Sequence, residues 1–218
     1  MAPTNGGPGL AADYARIERA ARSAGPVEMD RQSNGLRQFF ENLRGETRLH
    51  ILDLGGVSQA NVNFVTLRGH KLYTGDLLVG LDRVGVAPRE PGKAAGPTAR
   101  FIKENLNFPP AHFDGILVWD SLEFLDEEML WAAVSSLQAI LKPGGCLLSF
   151  FHTHAKGETV HIYRYQIRDH QTLHLQPRCS RPLPRAFNNR NLERLFGNFH
   201  AVKFFLAKDN LREVIVTR

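Results

Sequence analysis

The chain has 218 residues, 43% of them apolar, with 27 Lys and Arg against 22 Asp and Glu for a formal net charge of +5. That length suits one domain with a sizeable core, and the composition is that of a folded chain rather than a disordered one. No apolar run approaches the roughly 20 residues of a membrane span, and Cys146 and Cys179 make neither a metal-ligand spacing nor a disulfide framework. The mild basic bias permits an anionic partner without demanding one.

The opening "MAPTNGGPGL" has no apolar core of the secretory kind, so a cytoplasmic location is expected. Residues 1–30 are rich in Gly, Pro and Ala and offer one short helical candidate, "AADYARIERAARSA". They are expected to form a mobile or loosely docked tail ahead of a single domain over 31–218. "NGLRQFFENLRG" predicts an amphipathic helix with Leu36, Phe39, Phe40 and Leu43 on one side and Gly45 as its stop. A buried strand over 50–54, a helix from Gln59 to Arg68 closed by Gly69, and a strand "KLYTG" ending at Asp76 follow.

Proline and glycine crowd residues 86–97, which predicts a long exposed loop. "ARFI" reads as a third strand, and "FDGILVWD" as a fully buried one. Asp126 then caps a helix on which Leu130, Val134, Leu137 and Leu141 recur at helical spacing, ended by "KPGG". "CLLSFFH" is another buried strand. Beyond it, residues 160–177 alternate with period two, placing Tyr163, Tyr165 and Ile167 opposite Arg164, Gln166 and Arg168 in a hairpin turning near Asp169. A short capped helix, "NNRNLERLFG", precedes a closing antiparallel pair, "AVKFFLA" and "LREVIVT". Alternating strands and helices with such a closure predict an open, Rossmann-like α/β sheet, mostly parallel and seven-stranded. An extra hairpin, about 158–187, follows the fifth strand and is expected to form a lid over the acceptor pocket, a solvated hairpin face being the blander reading.

In such sheets ligands sit beyond the carboxyl ends of the strands, where a loop and a helix N-terminus present main-chain N–H groups. Gly55 and Gly56 let the backbone come close to a ligand, and Asp76, about twenty residues on, is where a carboxylate accepts ribose hydroxyls. Asp53, just before the glycines, repels a pyrophosphate but suits a cationic ligand, which argues against a dinucleotide.

"ILDLGG", "TGD", "FDGILVWDSLEFL" and "LKPGGCLLSFF", in this order, resemble the successive motifs of class I methyltransferases, which use S-adenosyl-L-methionine. The resemblance covers residues 48–152. It implies that Asp53, Gly55 and Gly56 lie against the methionine part of the cofactor and that Asp76 holds the ribose. It also implies that "KENLNF" (103–108) passes the adenine, and that Trp119 and Asp120 close the pocket. The chain departs from the family pattern at Val57 and Gln59, which stand where glycines are usual. Gly56 is then the flexible point, with Ser58, Gln59 or Asn61 adding side-chain hydrogen bonds. Ile102 stands where an acid toward adenine is common, leaving Glu104 or a backbone amide as its substitute.

Blander roles compete with these. Asp53 could cap and fix its own loop, Asp76 could start a solvated turn, and Trp119 could be core. Asp120, His152 and His154 are the candidates for a general base, since a carboxylate or imidazole can take a proton from an acceptor. His152, His154 and His161 lack the convergent spacing of a metal site, so no metal is expected. Methyl transfer to a small-molecule acceptor is the leading expectation. The alternatives are a silent methyltransferase-fold scaffold, motivated by the altered loop, and an RNA methyltransferase, motivated by five arginines between 164 and 185. The sequence leaves the oligomeric state open.

Overall fold

The computed structural model describes residues 27–43, 45, 47–86, 96–207 and 209–218. The helical candidate near the N-terminus and most of the 86–97 loop lie outside the described residues. In chain order the elements are β1 (Met29–Gln32), α1 (Asn34–Asn42), β2 (His50–Asp53), α2 (Gln59–Thr66), β3 (Lys71–Thr74), α3 (Leu77–Val86) and α4 (Pro97–Asn105). Then come β4 (Phe113–Trp119), a short 3-10 turn (Leu122–Phe124), α5 (Glu127–Ile140), β5 (Leu141–His152), β6 (Thr159–Ile167), β7 (Thr172–Pro182), α6 (Asn189–Leu195), β8 (Ala201–Leu206) and β9 (Leu211–Thr217).

The main sheet has six strands in the order β3-β2-β4-β5-β9-β8, the first four mutually parallel and β9 antiparallel to both its neighbours, β5 and β8. A second sheet, β1-β7-β6, is antiparallel throughout. Two expectations are corrected. "ARFI" is not a strand: it lies within α4, which starts with Pro97 at its first turn, where the missing N–H costs nothing. The parallel sheet is therefore one strand short of seven. The tail does not end at residue 30 either, because Met29–Gln32 pairs with Thr172–Leu175 and extends the predicted hairpin to three strands.

Helix α3 has a weak signal in the sequence because Gly80 and Gly85 lower its propensity. The structure gives Gly80 a reason: a Cβ there would lie 2.7 Å from Asn105 Nδ2, so a larger residue at this close passage of α3 against α4 would displace the Asn105 side chain.

Alternation along the central strands divides the core in two. Leu52, Ile116, Val118, Leu147, Phe151, Val214 and Val216 face one way, packed by α4, α5 and α6 in an apolar cluster. Ile51, Leu117, Trp119, Cys146, Leu148, Phe150 and Ile215 face the other, covered by α1, α2 and the small sheet. The N-terminal strand is anchored on that second face by charge. Arg31, 6% exposed, pairs with Glu213 of β9 and with Asp209. Glu213 also accepts from Ser33 Oγ at 3.0 Å and from Gly35 N.

Candidate active site

β2 delivers Asp53, and parallel β4 delivers Trp119, to the same edge of the sheet. The loop after Asp53 is tied to the tip of β3: Gly56 N donates to Gly75 O at 2.8 Å and Gly75 N to Asp53 O at 2.8 Å, so that Gly55 pairs with Asp76 as an isolated bridge. Gly56 takes φ +92°, while Val57 stays out of the left-handed region and is 68% exposed. The altered loop thus turns on Gly56, and valine at position 57 carries no backbone strain. A Cβ on Gly56 would sit 2.8 Å from Asp76 Oδ2, so glycine is also what lets the loop approach that carboxylate.

Asp53 is completely buried. Its Oδ1 accepts from Trp119 Nε1 at 2.7 Å and from Gly55 N at 3.0 Å, and its Oδ2 from Asn61 Nδ2 at 2.7 Å. Burial pushes its pKa up; the three donors oppose this without cancelling it, and the charge of Asp76 adds to the rise. Asn61, 1% exposed, uses its whole amide: Nδ2 also reaches Tyr165 O at 3.0 Å, and Oδ1 accepts Ile167 N at 2.7 Å. One side chain therefore links the acid of β2 to the main chain of β6.

Trp119 adopts φ 57°, a left-handed conformation that costs a bulky residue on the order of 1–2 kcal/mol. The turn it makes swings the indole over the loop, where Nε1 lies 2.7 Å from the point a Gly55 Cβ would occupy. The indole stacks on the Tyr165 ring, centroids 5.0 Å apart and planes at 6°. Asp76 is closed from the same side: Arg178 Nη2, from β7, sits 3.1 Å from Oδ1 and 2.9 Å from Oδ2. Asp76 Oδ1 also accepts Val79 N at 3.1 Å, capping α3.

A second buried cluster adjoins through Tyr165, whose hydroxyl donates to Asp120 Oδ2 at 2.9 Å. Burial raises the Asp120 carboxyl to about 6, helped by Glu123 and opposed by His152. Glu123, fully buried, accepts His152 N at 2.9 Å and pairs with the His152 ring through Nδ1. Burial works against the charged imidazole, but the bond and charge of Glu123, with Asp120 behind it, leave the His152 pKa raised. His154 lies beside His152, ring centroids 5.9 Å apart, with a buried Nδ1 that has no hydrogen-bond partner among the described residues.

Of the residues singled out in the sequence, Asp53, Gly55, Gly56, Asp76 and Trp119 converge. Ser58 serves as the cap of α2, accepting from Asn61 N at 3.4 Å. Glu104 does not join them: residues 103–105 belong to α4 rather than a loop, and Glu104 is exposed, 3.9 Å from Arg100 a turn earlier. Asp120 and His152 meet in the second cluster. Sequence reasoning gave no role to Glu123 or Tyr165. Their signals were a lone acid in the apolar "LEFL" and a tyrosine on the inward face of β6. Three of the five arginines face the protein: Arg178 on Asp76, Arg181 on Asp82 at 2.7 Å, and Arg185 on Leu125 O at 2.6 Å. A separate groove of about 600 Å³ runs between α4 and α5, lined by Ile102, Leu106, Glu128 and Ala132; among the described residues no acid or glycine of the β2 loop lines it. No helix of the described residues is long and apolar enough to cross a membrane.

No protein-family model matches the sequence. No curated protein matches it. Solved structures do match in shape. An S-adenosylmethionine-dependent methyltransferase from Clostridium acetobutylicum superposes with a TM-score of 0.50 at 14% identity, over 95% of this chain and 98% of that one. A protein from Pyrococcus horikoshii OT3 does so with a TM-score of 0.50 at 13% identity, over 84% and 88%. The chain, a six-stranded mixed sheet with its loop and acids at the carboxyl edge, has the fold of class I methyltransferases.

Proposed function

We infer that the protein is an S-adenosylmethionine-dependent methyltransferase acting on a small-molecule acceptor. The observation that carries this reading is the pairing of two acids on neighbouring strand tips, Asp53 and Asp76, across a main-chain turn at Gly56. The residues fit the cofactor in kind: a glycine turn that nothing larger can replace, one carboxylate for the hydroxyls of a ribose, and one for the positive end of the methionine. The Trp119 indole and the Arg178 guanidinium now occupy these acids and would have to withdraw for the cofactor to enter.

Bound there, the cofactor supplies an electrophilic methyl group on a sulfonium. The chain's own contribution is alignment, holding donor and acceptor so that little orientational freedom remains to be lost in the reaction. Asp76 would hold the nucleoside by its hydroxyls, and Asp53 sets the loop through Gly55 N. The hairpin β6–β7 keeps water from the buried groups beneath it, and Glu123 holds the proton of the His152 ring at Nδ1. Acceptors that must lose a proton would meet Asp120 or His152.

A second reading, a methyltransferase-fold protein without the activity, is favoured by the Trp119 indole lying on Asp53 above Gly55. Calorimetric titration with S-adenosylhomocysteine separates the two. The methyltransferase reading requires heat and a thermal shift in the parent, because ligand bound to the native state stabilises by RT ln(1 + [L]/Kd). It also requires a loss of at least about tenfold in affinity for Asp76→Asn, the equivalent of ~1.4 kcal/mol. Silence at millimolar ligand favours the scaffold.

A further inference from the structure

Resting on the methyltransferase reading, we propose that the β6–β7 hairpin is an autoinhibitory strap, with Arg178 as its latch and the Trp119–Tyr165 stack as its plug, so that the cofactor must open the strap to bind. Three contacts from different elements converge on the two acids. The Arg178 nitrogen that bridges both oxygens of Asp76 stands where ribose hydroxyls would donate. The indole N–H of Trp119 takes an oxygen of Asp53, and Tyr165 backs the indole from β6. Asn61 joins the other Asp53 oxygen to the main chain of Tyr165 and Ile167. The strap thus gives Asp76 a donor directly through Arg178 and, from β6, backs Trp119 and Asn61, the donors that satisfy Asp53.

The energetics favour a latch that can open. The Asp76 and Arg178 side chains are each about one-fifth exposed, at 20% and 19%, so water can take over their hydrogen bonds when they part. Asn61, Asp53 and Trp119 are buried, and they are tied to the hairpin through the main chain of Tyr165 and Ile167 and the Tyr165 ring. A ligand that requires a minor open state binds with an apparent Kd raised by the inverse of that state's population. Removing the latch raises the open population and must tighten binding.

The test uses the full chain carrying Trp131→Phe, which leaves Trp119 as its single tryptophan, and compares it with Arg178→Ala. Arg181→Ala, which breaks an outer pair of the same hairpin, is the control. S-adenosylhomocysteine affinity is measured by calorimetry, and the accessibility of Trp119 by acrylamide quenching without ligand. The strap predicts about tenfold tighter binding and stronger quenching for Arg178→Ala, with the control unchanged. Equal affinity and equal quenching overturn the strap while the methyltransferase reading stands. Stronger quenching with no binding by any protein overturns both, because a strap that gates no cofactor is not autoinhibitory. No binding and no change in quenching overturns both. If Arg178→Ala fails to fold, Arg178→Lys, which keeps the charge but not the fork, carries the comparison, with intermediate affinity and quenching expected and parent-like values overturning the strap.

Discussion

The two faces of the central sheet are built on different principles. Beneath α4, α5 and α6 the core is apolar side chains packed by shape, from Leu52 to Val216. Beneath α1 and the small sheet, apolar packing is interrupted by Arg31, Asp53, Asn61, Glu213 and, at the strand ends, Asp120 and His152, all buried. Both faces exclude water, but only the second depends on each charge keeping its partner. A dry face tolerates change in proportion to lost volume. A charged buried face fails at single atoms, and its stability moves with pH.

Four perturbations sharpen that contrast, beginning with the largest. Arg31→Ala strands Glu213, which among the described residues keeps Ser33 and Gly35 as donors. Chemical denaturation should show a loss of about 4 kcal/mol, of which a double change to Met at 31 and Leu at 213 recovers most. On the dry face, Leu137→Ala should cost about 3 kcal/mol by cavity formation, by the same amount at pH 5 and pH 8. A pH-dependent cost there would break the comparison.

Asp120→Asn tests the titration. The Asp120 carboxyl is raised from 3.8 to about 6 in the fold, so the native chain holds a proton the unfolded chain has released. The stability this contributes is complete below pH 4 and lost as pH rises through about 6. His152, raised from 6.5, has the same sign: its contribution is lost as pH rises through its folded value. Thermal melts of the parent should therefore fall from pH 5 to pH 8. Asp120→Asn should flatten the lower part of that decline and be more stable at pH 8, on the order of 2 kcal/mol. The smallest effect belongs to Arg181→Ala, whose partner Asp82 is more than half exposed. Melting should register a change below about 1 kcal/mol.

The dry face was the more legible in the sequence. The helix capped by Asp126 follows from periodicity and the strands around Ile116 and Leu147 from their continuous apolar runs, because their side chains answer only to burial. "ARFI" misled because four residues carry too little period to outweigh Pro97 and the helix-forming residues that follow it. On the charged face the sequence pointed to Asp53, Asp76 and the glycines through the spacing of strand tips. It did not yield the closure. That depends on a left-handed Trp119 and on Arg178, 102 residues from Asp76, and no local pattern encodes which distant arginine meets which acid. Glu123 and His152 are likewise brought together only by the crossing of the 3-10 turn and β5.

The most direct measurement is a crystal of the full chain grown with saturating S-adenosylhomocysteine. The account predicts density for a nucleoside between Gly55 and Asp76, its hydroxyls on the Asp76 carboxylate, with Arg178 displaced and the indole turned off Asp53. Finding Arg178 still on Asp76 and Trp119 still on Asp53, with the ligand elsewhere or absent, would contradict it.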